Sequence, residues 1–278
     1  MSRPFLKMNG LGNDFVVVQA TADAPFAPTP AQVRLIAGRG PDGIGCDQLI
    51  AVEPSQRGDA FMRIWNADGG EVSACGNAAR CVGWLLTEAS GRQAAAIETR
   101  AGLLQAVRAG DRRITVDMGP PGFGWSDIPL AEEMDTRGIE LAVGPPTAPV
   151  LHTPGCVSMG NPHVVFFLGR DPDDAQVKGV GPMIEHHPLF PEGVNVGFLH
   201  VRTADQLRLK VWERGAGQTP ACGTGACAAL VAAARRNKAA READVELDGG
   251  TLRIVWRETD DHVLMTGDVA LEFTGVLP

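Results

Sequence analysis

Cys75 and Cys222 share a setting that no other cysteine of the chain has: each follows an alanine, precedes a glycine, and opens an alanine-rich stretch of helical composition, 77–88 and 224–237. A thiol at the start of a helix meets unsatisfied backbone N–H groups and the positive end of the helix dipole, which lower its pKa. The same N–H groups bind a carboxylate, and Asn77 and Thr224, just inside each helix, can add side-chain hydrogen bonds to it. Two such thiols facing opposite sides of one α-carbon invert it. One, as thiolate, removes the α-proton, and the other, as thiol, delivers a proton to the far face. The convergent N–H groups stabilise the charge that develops on the carboxylate. The expected chemistry is racemisation or epimerisation of an amino acid without a cofactor, in a cleft that closes to exclude water.

The two cysteines belong to a larger repeat. Residues 65–76 and 212–223 share Trp, the second Gly and Ala-Cys-Gly at a constant spacing of 147, the spacing of Cys75 from Cys222. Ala79 and Ala226, Gln48 and Asn195, and Asn66 and Glu213 fall at the same shift. Gly12-Asn13 with Val16-Val17 matches Gly160-Asn161 with Val164-Val165 at 148, as Glu98 matches Glu246 and Gly119 matches Gly267.

Local patterns supply the elements that must hold these residues. Short β-rich runs are predicted at 14–18, 47–52, 60–65, 103–107 and 113–118, and again at 163–168, 195–200, 207–212, 245–247 and 252–256. Gly249-Gly250 marks a hairpin turn, and Thr29-Pro30 opens an earlier helix with a capping threonine. The fold class expected is α+β: two pseudo-symmetric lobes, each a bent, mostly antiparallel, barrel-like sheet around a central helix. The N-terminal lobe spans 1–121, completed by 268–278, and carries Cys75; the C-terminal lobe spans 122–267 and carries Cys222. The Gly- and Pro-rich stretch Gly122–Pro149 reads as the connection between them.

Bulk properties narrow the function classes. The 278 residues, 44% hydrophobic and 21% charged, suit one large domain or two lobes of about 130 residues each. A formal charge of −8 offers no basic surplus for nucleic acid. No apolar run reaches bilayer-spanning length, and the opening Met-Ser-Arg-Pro-Phe-Leu-Lys lacks the apolar core of a secretory leader, so a cytoplasmic chain is expected. Six cysteines without a Cys-x-x-Cys pair are too sparse for a disulfide scaffold, a zinc ribbon or a thioredoxin-type dithiol. Cys46, Cys81, Cys156 and Cys227 read as small buried hydrophobes. No nucleotide-binding glycine fingerprint or pyridoxal site stands out, and Gly43-Ile44-Gly45 reads as a turn.

At Met8–Phe15, Gly45–Gln48, Asn66–Gly69, Ala74–Cys81, Gly160–His163, Gly193–Asn195, Trp212–Gly215 and Ala221–Gly225 the chain closely resembles diaminopimelate epimerases. The segments run through the whole architecture, and their specificity lies in the set. The resemblance implies interconversion of LL- and meso-2,6-diaminopimelate, on the route to lysine and peptidoglycan, without pyridoxal phosphate or metal and in a homodimer. It implies Cys75 and Cys222 as the acid/base pair, with Gly76-Asn77 and Gly223-Thr224 on the reacting carboxylate. Asn13, Gln48, Asn66, Asn161, Asn195, Glu213 and Arg214 would complete the substrate site. Arg214 suits the far carboxylate and Glu213 the far ammonium. His163 and Glu213 correspond to positions that tune the two thiols. The chain departs from the family at Asn9, where histidine is usual, and at Ala78, where glycine is usual; the methyl group fits if that backbone is helical.

Blander uses compete for each residue. His163 can cap a strand, Trp65 and Trp212 can pack a core, Arg214 can be a surface charge, and the asparagines can sit in turns. As a set at repeat spacing they favour a site. A proline or hydroxyproline racemase would have no second polar end to bind. A double-bond isomerase of the same architecture typically lacks the cysteine pair, and a thiol sensor or metal-binding module would not exchange an α-proton.

Overall fold

The structure is a computed structural model of the chain, and it describes residues 3–145 and 147–277. Met1 and Ser2 of the opening stretch, Pro146 of the predicted connection and Pro278 of the completing segment lie outside the described residues. The chain forms two compact units, Met1–Asp117 with Thr266–Pro278, and Met118–Met265. Each mixes sheet and helix, with sheet dominant.

The first unit contains β1 (Pro4–Gly10), β2 (Asn13–Gln19), α1 (Pro30–Ala37), β3 (Gln48–Glu53), β4 (Ala60–Asn66), β5 (Glu71–Val72), α2 (Gly76–Ser90), β6 (Ala94–Thr99), β7 (Gly102–Gly110) and β8 (Arg113–Asp117). The second contains β9 (Ala142–Val143), β10 (Leu151–His152), β11 (Gly155–Ser158), β12 (Pro162–Leu168), α3 (Asp174–Glu185), β13 (Asn195–Thr203), β14 (Gln206–Glu213), β15 (Gly217–Thr219), α4 (Gly223–Arg235), β16 (Glu242–Leu247) and β17 (Gly250–Trp256). Then β18 (Val263–Asp268) leads the chain back, and β19 (Ala270–Val276) pairs antiparallel with β1 in the first unit.

The sequence repeat is a repeat of strand pairing. β2 runs parallel to β3 with Phe15 opposite Gln48, and β12 runs parallel to β13 with His163 opposite Asn195. Leu49 faces Trp65 across an antiparallel pair as Val196 faces Trp212. Ile64 faces Val72 as Val211 faces Thr219, and Ile97 faces Leu104 as Val245 faces Leu252. Because side chains alternate across a strand, this conserved register puts corresponding residues on corresponding faces of each unit.

In each unit the sheet packs around one helix. α2 lies against β1, β6, β7 and β8, and α4 against β11 to β14, β16 and β17. A helix covered on all sides needs small or apolar residues all round. In α4 every residue from Gly223 to Ala233 except Thr224 is buried. In α2, Gly83 lets β7 approach: a Cβ there would lie 2.6 Å from the Ala106 methyl. α1 carries the predicted Thr29 cap in a full capping box with Gln32.

The sequence reading missed several strands, β1, β6, β11, β18 and β19 among them, and two longer segments also differ from it. α3 was not expected, because Gly179, Gly181 and Pro182 lower its helical propensity. Gly181 is there for close packing: a Cβ would lie 2.5 Å from Trp212 Cγ. The stretch read as a connection is also more than a tether. Ile128, Leu130, Ile139 and Leu141 are buried in the second unit's core with Phe166, Ile184, Phe190 and Phe198. Its apolar residues are too widely spaced to signal a strand or helix, yet they pay the cost of ordering an irregular segment by burial. Among the described residues, no helix is long and apolar enough to cross a membrane.

Candidate active site

In the first unit, Cys75 is the N-cap of α2 and half-buried. Its extended backbone (φ −149°, ψ 115°) turns the chain into the helix, and its sulfur accepts from the Ala78 N–H at 3.5 Å, one of the helix's otherwise unpaired donors. The thiol in turn reaches Asn13 Oδ1 at 3.9 Å. Asn77, buried in the first turn, donates from Nδ2 to the same oxygen at 3.4 Å. Asn13 comes from the start of β2, where the turn 10–12 is closed by Asn9, whose Oδ1 accepts from Gly12 N–H at 2.7 Å. That gives the departure Asn9 a structural use. Ala78, the other departure, lies within the helix and is fully buried, so its methyl group requires no left-handed backbone.

Charged groups that sequence reasoning did not single out surround this cluster. Asp47 Oδ2 accepts from Asn13 Nδ2 at 2.8 Å and from Asp14 N–H at 3.1 Å. Arg39 bridges both carboxylates, with 2.8 Å contacts to Asp14 Oδ1 and Asp47 Oδ1. Lys7, only 4% exposed, pairs with Asp14 from β1. Burial pushes the Asp14 carboxyl up, but Arg39 and Lys7 outweigh it and bring Asp14 down to about 2. Behind Asn77, the wholly buried Arg80 donates to Asn77 Oδ1 at 3.0 Å and to Gly10 O at 3.3 Å. Gln48 Nε2 donates to Asn66 Oδ1 at 2.9 Å across β3 and β4. Gln48 Oε1 is buried with no hydrogen-bond partner among the described residues, an acceptor open to an incoming donor.

In the second unit, Cys222 occupies the N-cap of α4 and is 3% exposed. Its sulfur lies 3.7 Å from Thr224 Oγ1. Asn161, from the loop before β12, donates to that hydroxyl at 3.3 Å and accepts from His163 Nε2 at 3.0 Å. Since Asn161 Nδ2 is committed to Thr224, its Oδ1 faces the ring, and His163 carries its proton on Nε2. Glu213 ends β14 beside Cys222 and accepts from Thr219 Oγ1. Asn195 is occupied at both ends of its amide, donating to Pro162 O at 2.9 Å and accepting from Arg214 N–H at 2.9 Å. It thereby fixes the backbone that presents the exposed Arg214 side chain. Glu185, from α3, supports the same turn by accepting from Trp212 Nε1 and Gly215 N–H, both at 2.7 Å.

The electrostatics correct one expectation. A helix start was expected to acidify both thiols, yet the Cys222 thiol is raised well above its ordinary value. Burial is the main cause and the Glu213 carboxylate the next; the Thr224 hydroxyl and the Gly225 N–H oppose them and lose. His163 is driven down to about 3 by burial, then by the Arg214 charge, so it is a neutral hydrogen-bond donor at ordinary pH. Burial raises Cys46 to about 11 and Cys81 and Cys156 to about 12, as expected of packing cysteines. Among the described residues, no three His, Cys, Asp or Glu side chains are grouped as metal ligands would be.

Comparison with known proteins bears on this arrangement. The diaminopimelate epimerase family profile matches residues 5–124 and 155–272, which include both cysteine helices. The chain belongs to the diaminopimelate epimerase family. A diaminopimelate epimerase of Phenylobacterium zucineum (strain HLK1) is 62% identical over 278 residues, covering 100% of this chain and 99% of its own length. One from Caulobacter vibrioides (strain NA1000 / CB15N) is 59% identical over 284 residues, covering 100% and 98%. At the level of fold, a crystal structure of a phenazine biosynthesis protein of the PhzF family from Enterococcus faecalis superposes with a TM-score of 0.68. That match has 14% identity and covers 99% of each chain.

Within this member of the diaminopimelate epimerase family, Cys75, Gly76, Asn77, Asn13, Gln48 and Asn66 lie in the first unit. Cys222, Gly223, Thr224, Asn161, His163, Asn195, Glu213 and Arg214 lie in the second. Asp47, Arg80 and Glu185 touch these residues and were missed. Asp47 and Arg80 sit inside the quoted motifs, so adjacency to Gln48 and a position one helical turn beyond Asn77 were the available signals. Glu185 ends a helix that the sequence pattern did not show.

Proposed function

We propose that this chain interconverts LL- and meso-2,6-diaminopimelate, with Cys75 and Cys222 exchanging the α-proton and no pyridoxal phosphate or metal taking part. The observation that carries the reading is the duplicated setting of the thiols. Each caps the helix of its own unit at the corresponding place in the same pattern of strand pairing, in a chain of this family.

In one direction, Cys75 as thiolate takes the α-proton. The C–H electron pair passes into the carboxylate, as the enediolate form of the carbanion. Cys222, kept as thiol by burial and by Glu213, gives its proton to the opposite face of the same carbon and becomes the thiolate. The reverse direction exchanges the roles. Backbone N–H groups at Gly76-Asn77 and Gly223-Thr224, with the Asn77 amide and Thr224 hydroxyl, stabilise the developing charge. Arg214 pairs with the distal carboxylate and Glu213 with the distal ammonium, and Gln48 Oε1 offers that ammonium a second acceptor. Asn13, Asn66, Asn161 and Asn195 complete the polar lining, and His163 acts through Asn161. The same reading makes the protein a cytoplasmic homodimer, which sedimentation velocity checks.

The test is incubation of LL-diaminopimelate with purified protein in deuterated water. The expected result is meso product with deuterium at one α-carbon, and no turnover of proline or hydroxyproline. Absence of exchange in the reduced protein, or exchange that persists in Cys75→Ala and Cys222→Ala, removes the proposal.

A further inference from the structure

A side-chain amide has one shape and two opposite ends, so a working amide needs a neighbour that distinguishes its oxygen from its nitrogen. In the first unit that neighbour is a formal charge in both cases. Asp47 can only accept; by taking Asn13 Nδ2 at 2.8 Å it turns Asn13 Oδ1 toward the Cys75 thiol. The carboxylate is itself held, by Arg39 at 2.8 Å and by the Asp14 N–H at 3.1 Å. Arg80 can only donate; by holding Asn77 Oδ1 at 3.0 Å it turns Asn77 Nδ2 toward Asn13 Oδ1. The guanidinium is wholly buried and anchored on Gly10 O, so its position is not free to drift.

The second unit has the opposite polarity. Asn161 corresponds to Asn13 in the repeat, yet it presents Nδ2 to Thr224 and holds Oδ1 against the neutral His163. The positions that correspond to Asp47 and Arg80 are Val194 and Cys227, neither of which carries a fixed charge.

We propose that Asp47 and Arg80 are positioning residues for the epimerase reaction, fixing the amide polarity of Asn13 and Asn77 so that Cys75 faces an acceptor and the substrate carboxylate faces a donor. The inference rests on the proposed α-proton exchange. Asn13 Oδ1 accepts the S–H that forms when Cys75 takes up the α-proton, and Asn77 Nδ2 lies ready for the charge that appears on the carboxylate in the same step. Both interactions strengthen as the proton moves, so their loss falls on turnover more than on binding.

The experiment compares the parent enzyme with Asp47→Asn, Arg80→Met and Arg80→Lys by steady-state epimerisation of LL-diaminopimelate, with thermal melts to confirm folding. Asp47→Asn replaces an acceptor with a group that is indifferent to the orientation of Asn13, at a half-exposed site, and the melt reports whether folding is intact. Arg80→Met removes the donor, and Arg80→Lys retains one. In Asp47→Asn and Arg80→Met, kcat/KM is expected to fall by about tenfold or more, with kcat taking the larger share, and Arg80→Lys recovers part of the loss. A smaller fall, a fall carried by KM alone, or an Arg80→Lys as slow as Arg80→Met overturns the inference. If Arg80→Met does not fold, Asp47→Asn decides. A parent without epimerase activity defeats the proposed function and this inference with it, whereas an active parent with unimpaired variants defeats the inference alone.

Discussion

Around Cys75 the nearby amides are held by Asp47 and Arg80, and the sulfur is half open with a helix N–H upon it. Around Cys222 the corresponding asparagine is held by a neutral imidazole, the sulfur is buried, and a carboxylate stands beside it. The strand pairings compared above keep the same register in the two units, and the difference lies in the side chains that surround the sulfur. Duplication supplies a matched pair of thiols, but the proposed two-base reaction needs them unmatched at any instant, one ionised and one protonated. Burial and Glu213 provide that inequality at Cys222 without altering the helix start that both share.

The most severe way to break the comparison is to remove either sulfur. Cys75→Ala and Cys222→Ala are each expected to lower epimerisation by about a thousandfold or more, since one base cannot serve both faces; coupled assay of meso product measures it. Next comes Glu213→Gln, which removes the carboxylate that raises the Cys222 thiol. The thiol then ionises at lower pH. The alkaline limb of kcat/KM, where the proton donor is lost, moves to lower pH, and the maximum falls by about tenfold or more as the distal ammonium also loses its partner. An unchanged alkaline limb would detach Glu213 from Cys222.

Gly225 sharpens the contrast sterically. It corresponds to Ala78, but a Cβ at Gly225 would lie 3.1 Å from the Cys222 sulfur and 3.0 Å from Val211 Cγ2. Gly225→Ala is expected to displace the thiol and cost about tenfold in kcat with little change in Tm, readable from kinetics and a melt. His163→Gln keeps a donor for Asn161, so a loss of about threefold is expected. Because burial holds His163 near 3, the pH profile between 5 and 8 loses no inflection when it is replaced. The smallest effect belongs to Ala78→Gly, which restores the usual family residue and costs about 0.5–1 kcal/mol of stability by denaturant melt, the entropic penalty of glycine in a helix.

The sulfurs, their helices and most pairing strands were legible because the repeat spacing and the period-2 alternation both survive in the sequence. Trp65 and Trp212 announce β4 and β14, and Gly250 announces the hairpin after β16. α3 was hidden, since Gly179, Gly181 and Pro182 serve packing at the expense of propensity. The strands β1 and β19 were missed as well: they pair with each other across nearly the whole sequence, beyond any local window, although β1 also pairs with the adjacent β2. At the site, residue types could name Asn13 and Asn77 but not which end of each amide faces the thiol. That depends on Asp47 and Arg80, whose contacts exist only once the chain has folded.

The antiparallel pairing of β1 with β19 also bears on biogenesis. Met118–Met265 is one contiguous stretch, whereas the unit containing β1 lacks the strand that pairs with β1 on the side away from β2 until residues 270–276 have been made. That unit, although begun before the other, is therefore completed only after the whole of Met118–Met265 has been made, and one edge of β1 stays unpaired in the interval.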